Sequence, residues 1–226
     1  KDTIHGEEIQ ALRVVMEAGS FVSGAGQLSE HPIIPDYLAY LKKSFAHVNA
    51  KRLHVVIDCG NGVAALVAQQ ALELLGCHVT GLYCDLDGRF PNHHPDPTVL
   101  ENLDDLIQAV KQHKADVGIG YDGDADRIGT IDEQGDVLWG DRLMVVYARD
   151  ILAARPGSTI ISEVKSSQSL YDDIAKRGGR PIMWKTGHSL IKAKMKIEQA
   201  VLAGEMSGHM FFADRYFGYD DAIYAS

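Results

Sequence analysis

The chain is poor in cysteine, in positive charge and in long apolar runs. Its three cysteines, Cys59, Cys77 and Cys84, show no metal-ligand spacing, and an odd number leaves one unpaired in any disulfide scheme. A reduced, cytoplasmic setting is the simpler reading. Lys and Arg total 22 against 31 Asp and Glu, a formal net charge of -9. That balance argues against a nucleic-acid backbone as partner, while local basic groups leave a phosphorylated substrate open. No apolar run approaches the roughly 18 residues of a membrane span, and no stretch reads as a signal peptide, so no membrane partner is expected. No low-complexity linker divides the chain. What remains is ordinary globular composition, 46% hydrophobic and 23% charged over 226 residues, enough for one or two domains with a substantial core. The chain starts at Lys1 without Met, and Ala222–Ser226 looks like a helix just beginning, so a piece of a longer polypeptide is expected.

Periodicity gives a β-α rhythm that appears twice. Ile9, Leu12 and Met16 share a helical face, and a second helix starts near Pro35-Asp36. Leu53–Ile57 reads as a buried strand, 58–62 as a tight turn, Val63–Leu75 as one helix and Val79–Tyr83 as a strand. Thr98 and Glu101 form a capping box, and Val117–Tyr121 is a short strand. Ile128–Ile131 and Val137–Trp139 make a hairpin turning at Gln134-Gly135. After a join near 136–140, Asp141 caps a helix to Ala154. The strands Thr159–Ser162, Pro181–Trp184 and Val201–Ala203 then alternate with helices Ser167–Arg177 and Ser189–Glu198. Lys192, Lys194 and Lys196 read as a basic, exposed helix face.

One segment carries chemistry. Residues 122–127 read Asp-Gly-Asp-Ala-Asp-Arg, and alternation in an extended loop puts Asp122, Asp124 and Asp126 on one side. Three neighbouring carboxylates repel one another unless a cation neutralises them, and hard oxygen ligands suit Mg²⁺ or Ca²⁺. Arg127 adds a fork of donors suited to phosphate. A solvated acidic turn between two apolar strands would be costly without the cation. An EF-hand fits Asp122, Asp124, Asp126 and Glu133 at positions 1, 3, 5 and 12, but Arg127 stands where its Gly belongs and the flanks read as strands. A haloacid-dehalogenase-type phosphatase would pair Asp122 with Asp124 but place Thr or Val where Asp126 stands. The turn 58–62 lacks a dinucleotide or P-loop pattern and reads as structural. Gly204-Glu205-Met206-Ser207-Gly208-His209 offers hydroxyl-binding groups on a loop whose glycines admit close approach.

The aspartate loop resembles the metal loop of the α-D-phosphohexomutases, above all the bacterial phosphomannomutase/phosphoglucomutase branch. The 204–209 segment resembles that family's sugar-recognition loop. Phe90–Pro97 and Trp184-Lys185-Thr186-Gly187-His188-Ser189 are similar to further stretches of the branch. Ala125 stands where many members carry Gly, a change expected to cost little because Ala is small.

The resemblance implies an α/β fold: two similar domains of mixed, largely parallel sheet with helices on both faces. It implies that 1–34 is a linker helix from a missing first domain, 35–136 the second domain with the metal loop, and 137–226 a truncated third domain with the sugar loop. The implied activity interconverts hexose 1-phosphate and 6-phosphate, with mannose or glucose as sugar. It runs through a phosphoserine and a 1,6-bisphosphate, which serves as intermediate or activator. Mg²⁺ would sit on Asp122, Asp124 and Asp126. Arg127, Lys165, His188 and His209 are the implied catalytic residues, with His209 a candidate acid/base. Glu205, Ser207, Lys165, Thr186, Gly187 and His188 are the implied substrate-binding residues. The phosphoserine loop and the fourth, phosphate-gripping domain are missing, so this chain alone is expected to be inactive. A non-catalytic divalent-cation module and a metal-dependent sugar-phosphate phosphatase are the alternatives.

Overall fold

The computed structural model describes residues 4, 6–48, 50 and 52–226. The opening residues of the 1–34 linker reading are therefore partly outside it. Glu7–Ala18 (α1) is an exposed helix with no buried residue, and Ile33–Ser44 (α2) admits Pro35 in its first turn, where no helical N–H bond is lost. The first sheet is built from His54–Asp58 (β1), His78–Leu82 (β2), Val117–Tyr121 (β3), Ile128–Asp132 (β4) and Val137–Leu138 (β5). Its order is β2-β1-β3-β4-β5, with β1, β2 and β3 parallel and β4 and β5 antiparallel. Ala68–Leu74 (α3) and Asp104–His113 (α4) complete this half.

Gly140–Ala154 (α5) leads into a second sheet of Thr159–Glu163 (β6), Arg180–Trp184 (β7), Leu202–Gly204 (β8) and Met210–Phe212 (β9). Its order is β7-β6-β8-β9, with β7, β6 and β8 parallel and β9 antiparallel to β8. Gln168–Lys176 (α6), His188–Glu198 (α7) and the short Ala222–Ala225 (α8) follow the strands.

The side-chain alternation of the strands assigns the helices to faces. Val55 and Ile57 of β1 share a core with α3, whereas Val56 packs with Leu106, Ala109 and Val110 of α4. In the second sheet Ile160 and Leu202 join α5 and α6, whereas Ile161 and Ala203 meet Ile191 and Met195 of α7. Both sheets are thus mixed, largely parallel and covered on both faces, as the sequence predicts. Leu143, Met144 and Ala148 of α5 belong to a core shared by both halves.

Several local expectations fail. The helix expected over 63–75 is a 3-10 turn at Val63–Leu66 followed by α3, with Val67 at φ -139 between them. Its start is held elsewhere, because Val63 N donates to Gly123 O at 3.0 Å. The capping box does not form: Thr98 Oγ1 donates to Asp96 Oδ1 at 2.7 Å, and α4 begins only at Asp104 without a side-chain cap. Asp141 does not cap α5 either, since its Oδ2 accepts from Ser167 N at 2.9 Å. Lys192 is no solvated charge; its Nζ lies 2.9 Å from Asp220 Oδ1 and the side chain is mostly buried. Lys194 pairs with Glu198 and stands over the Trp184 ring. The strand β9, Met210–Phe212, has no counterpart in the sequence reading.

Candidate active site

The aspartate loop joins β3 to β4 as a tight turn, not as an extended segment. Asp122 is buried, and its Oδ1 accepts from the backbone N–H groups of Asp126 and Arg127, both at 3.0 Å. Ala125 N donates to Asp122 O at 3.2 Å. The three carboxylates are therefore gathered by a chain folding back on Asp122, and the alternation expected from the sequence is not the cause. Ala125 has φ 60, a left-handed conformation that costs a non-glycine residue about 1–2 kcal/mol. The departure from Gly is thus dearer than the size of its methyl suggests.

One oxygen from each of Asp122, Asp124 and Asp126 lies within 4.8 Å of the others. An octahedral cation at 2.0–2.1 Å holds neighbouring oxygens about 3 Å apart and opposite ones about 4 Å apart. Asp124 is exposed and Asp126 half-buried, so neither side chain is locked by packing, and an all-oxygen donor set suits a hard cation. The residues present fit a possible metal site of this kind.

Arg127 serves the loop itself. Its Nε donates to Asp122 Oδ2 at 2.7 Å and its Nη1 to Asp96 Oδ1 at 3.1 Å, so two of its three nitrogens are committed to carboxylates. The neighbouring turn at 58–62 is also consumed internally. Gly60 N donates to Asp58 Oδ1 at 2.8 Å, Asn61 N to Tyr83 O at 2.9 Å and Gly62 N to Cys59 O at 2.7 Å. No donor of that run is left to cradle a phosphate, and a Cβ on Gly62 would stand 2.8 Å from Gly123 O, so the turn buttresses the aspartate loop.

The second half brings three loops to the same place from the ends of β6, β7 and β8. Lys165 follows β6, exposed, with Nζ 3.4 Å from Glu163 Oε1. Thr186, Gly187 and His188 follow β7, and Glu205, Ser207 and His209 lie between β8 and β9. Glu205 is only 3% exposed, and it accepts from Gly187 N at 2.6 Å. Ser207 is half-buried. Ile128 N donates to Gly208 O at 3.1 Å, and Arg127 and His209 form an isolated antiparallel bridge. The 204–209 loop is therefore stitched to the strand that leaves the aspartate turn.

His209 Nδ1 lies 3.0 Å from Asp220 Oδ2 and 3.4 Å from Asp126 Oδ1, contacts that are not aligned as hydrogen bonds. Burial pulls the imidazole toward neutrality, but Asp220 and Asp126 outweigh it and raise its pKa. Asp220 is held down to about 2, where His209 and Lys192 overcome the opposing effect of burial. Asp126 is pushed up, first by burial and then by Asp122 and Asp124, against the pull of His209. The rings of His188 and His209 stack with centroids 5.5 Å apart. Next to Asp220, Asp221 accepts from Tyr37 Oη at 2.9 Å and Ala222 N donates to Ala125 O at 3.0 Å, bracing the aspartate turn from the far end of the chain.

All eleven sequence-predicted positions thus lie on this one turn or on the loops beyond β6, β7 and β8. Glu163, Asp96 and Asp220 were not singled out in the sequence. The signal for Glu163 was available: a charge at the carboxyl end of an apolar strand, where open α/β sheets place their sites. Asp96 was marked only as part of the Phe90–Pro97 stretch, and Asp220 gave no signal.

The chain matches the model described as phosphoglucomutase/phosphomannomutase, alpha/beta/alpha domain II, over residues 35–135, and that of domain III over 139–226. It is 50% identical over 225 residues to a phosphomannomutase/phosphoglucomutase of Pseudomonas aeruginosa, covering 100% of this chain and 48% of that protein. A phosphoglucomutase of Neisseria gonorrhoeae is 45% identical, covering 99% and 49%. The crystal structure of a phosphoglucomutase/phosphomannomutase family protein from Burkholderia thailandensis superposes with a TM-score of 0.94 at 40% identity, covering 99% of this chain and 48% of that one. The chain spans about half the length of the curated relatives it matches. With the two sheets, their order and the matched domains in agreement, the chain belongs to the phosphoglucomutase/phosphomannomutase family, of which it carries domains II and III.

Proposed function

We propose that these residues form the metal- and sugar-holding part of a cytoplasmic phosphohexomutase that interconverts hexose 1-phosphate and hexose 6-phosphate, with mannose or glucose as sugar. Residues 1–34 lead in from a preceding domain, 35–136 carry the metal turn and 137–226 the sugar loop. A phosphoserine in the first domain and a phosphate-gripping fourth domain complete the site, and the fragment alone is inactive. The observation that supports this reading best is the junction of the two loops. Ile128 N on Gly208 O fixes the aspartate turn against the 204–209 segment, so one ligand reaches both.

Each residue then has a distinct task. Asp122, Asp124 and Asp126 hold Mg²⁺, which when bound offsets the charge of the transferring phosphoryl group. Arg127 keeps Asp122 in place through Nε, is itself anchored to Asp96 through Nη1, and has its remaining nitrogen for the phosphoryl group. Lys165, the exposed cation at the mouth of the loops, attracts the phosphate. Glu205 and Ser207 read neighbouring sugar hydroxyls, with Thr186, Gly187 and His188 beside them. That arrangement accepts a 1,6-bisphosphate in either direction. His209, kept charged more readily by Asp220 and Asp126, exchanges the proton of the accepting hydroxyl.

The test uses the full natural polypeptide that carries these residues. Asp124→Asn should abolish conversion of glucose 1-phosphate and the rise in melting temperature that Mg²⁺ produces. A cation at a hundred times its Kd stabilises by about 2.7 kcal/mol. Metal-free melting should not fall, because one repelling charge is gone. Near-normal turnover would refute the metal assignment, and a wild type that released inorganic phosphate without forming hexose 6-phosphate would replace the mutase with a phosphatase.

A further inference from the structure

Glu163 is the last residue of β6, the second strand in the order β7-β6-β8-β9, and its side chain is 0% exposed. A carboxylate at that depth is expensive to desolvate, and an apolar side chain would fill the position more cheaply. Both of its oxygens are occupied by the loops that follow the strands. Oε1 accepts from Met206 N at 2.7 Å and lies 3.4 Å from Lys165 Nζ. Oε2 accepts from Thr186 Oγ1. One buried group therefore ties the loop after β6 to the loop after β7 and to the loop after β8. Glu205 adds a parallel tie through Gly187 N at 2.6 Å.

We propose that Glu163 is the positioning residue of the sugar-reading loops. By holding Met206 N and Thr186 Oγ1 on one carboxylate, it fixes Glu205 and Ser207 relative to Gly187 and His188 before the hexose phosphate arrives. This rests on the mutase reading given above. Glu163 lies behind the loops and has no exposed surface, so it acts through its neighbours and touches no substrate. The physical benefit is preorganisation. A loop ordered in advance does not lose that conformational freedom on binding. The charge serves because a carboxylate takes several donors at once, which an apolar side chain cannot do.

Two substitutions separate positioning from bulk stability. In Glu163→Gln the remaining carbonyl still accepts from Met206 N, and the amide donates to the Thr186 hydroxyl, which can rotate to accept. In Glu163→Ala both loop donors lose their partner. In the full natural polypeptide, Glu163→Ala should raise KM for glucose 1-phosphate by about 10–100-fold with a smaller change in kcat, the pattern of lost binding. Glu163→Gln should stay within about threefold of wild type on the same grounds. Backbone amide exchange at Met206 and Gly187 should speed up in Glu163→Ala and stay slow in Glu163→Gln. Should Glu163→Ala not fold, Thr186→Val removes one tie at similar volume, and should raise exchange over 185–188 and KM by about 3–10-fold. Unchanged KM and unchanged exchange in whichever of these variants folds would overturn the proposal. So would a Glu163→Ala variant that loses melting temperature alone. The exchange readout needs no turnover, so a wild type inactive on hexose phosphates would sink the mutase reading while the exchange data still decide the role of Glu163.

Discussion

Replacing Gly208 by alanine would put a methyl group into the seam between the two halves of the site. A Cβ there would stand 2.4 Å from Ile128 O, 3.0 Å from Ile128 N and 3.2 Å from Ile128 C, all backbone atoms that cannot swing aside. The residue also has φ +92, where a side chain costs about 1–2 kcal/mol. Relief of the overlap would open the Ile128 N to Gly208 O bond, 3.1 Å long, and forfeit about 1 kcal/mol more. Alanine stiffens the unfolded chain and returns about 0.4–1 kcal/mol. The net loss is about 1–2.6 kcal/mol, or roughly a 5–80-fold shift in the folding equilibrium. For a chain of this size that is a fall of about 2–10 °C in melting temperature. Urea unfolding of the two proteins, with the slope checked for two-state behaviour, measures it directly. Gly88→Ala is the control: its Cβ would meet nothing within 4 Å and its φ is ordinary, so a change within about 0.5 kcal/mol is expected. A Gly208→Ala protein within about 0.5 kcal/mol of wild type, no different from the control, would refute the claim that this backbone contact locks the two loops together.

Two further outcomes follow from the surroundings of the site. His93 Nε2 lies 3.0 Å from Asp58 Oδ2, and that hydrogen bond pushes the imidazole up to about 9 despite burial. The folded state holds the proton more tightly than the unfolded chain, whose value is 6.5. The contribution is complete below pH 6.5 and fades as the pH rises through 9. Wild-type stability in urea should fall across that window while His93→Gln stays flatter, and parallel curves would count against the pair. Arg127→Lys supplies one point charge where a planar fork spans Asp122 and Asp96. It should cost about 1–3 kcal/mol in urea unfolding, and a loss under about 0.5 kcal/mol would show that the fork does not organise the turn.

Much of the molecule was legible in its residues. Strand runs such as Leu53–Ile57 and Val117–Tyr121 are bounded by turn residues and separated by helical periodicity. These are local properties, so the mixed α/β class and its repetition followed from them. The Asp-Gly-Asp-Ala-Asp-Arg run pointed to a candidate cation site because neighbouring carboxylates repel one another without a counter-charge. Capping was misread at Thr98 and Asp141 because a side chain's partner depends on which segments lie beside it. Thr98 found Asp96, and Asp141 found the backbone of Ser167.

The sequence by itself determined most of the elements, their order and the residue types gathered at the candidate site. Tertiary structure alone decided how they meet. It curled the aspartate run around Asp122, spent two Arg127 nitrogens on carboxylates, and turned Lys192 from a surface charge into the partner of Asp220. It buried Glu163 beneath three loops that are 20 to 40 residues apart in the chain. The physical reason is the same in each case. Local propensity acts over one turn or one pleat, whereas ion pairing and the satisfaction of buried polar groups depend on neighbours that only the folded chain supplies.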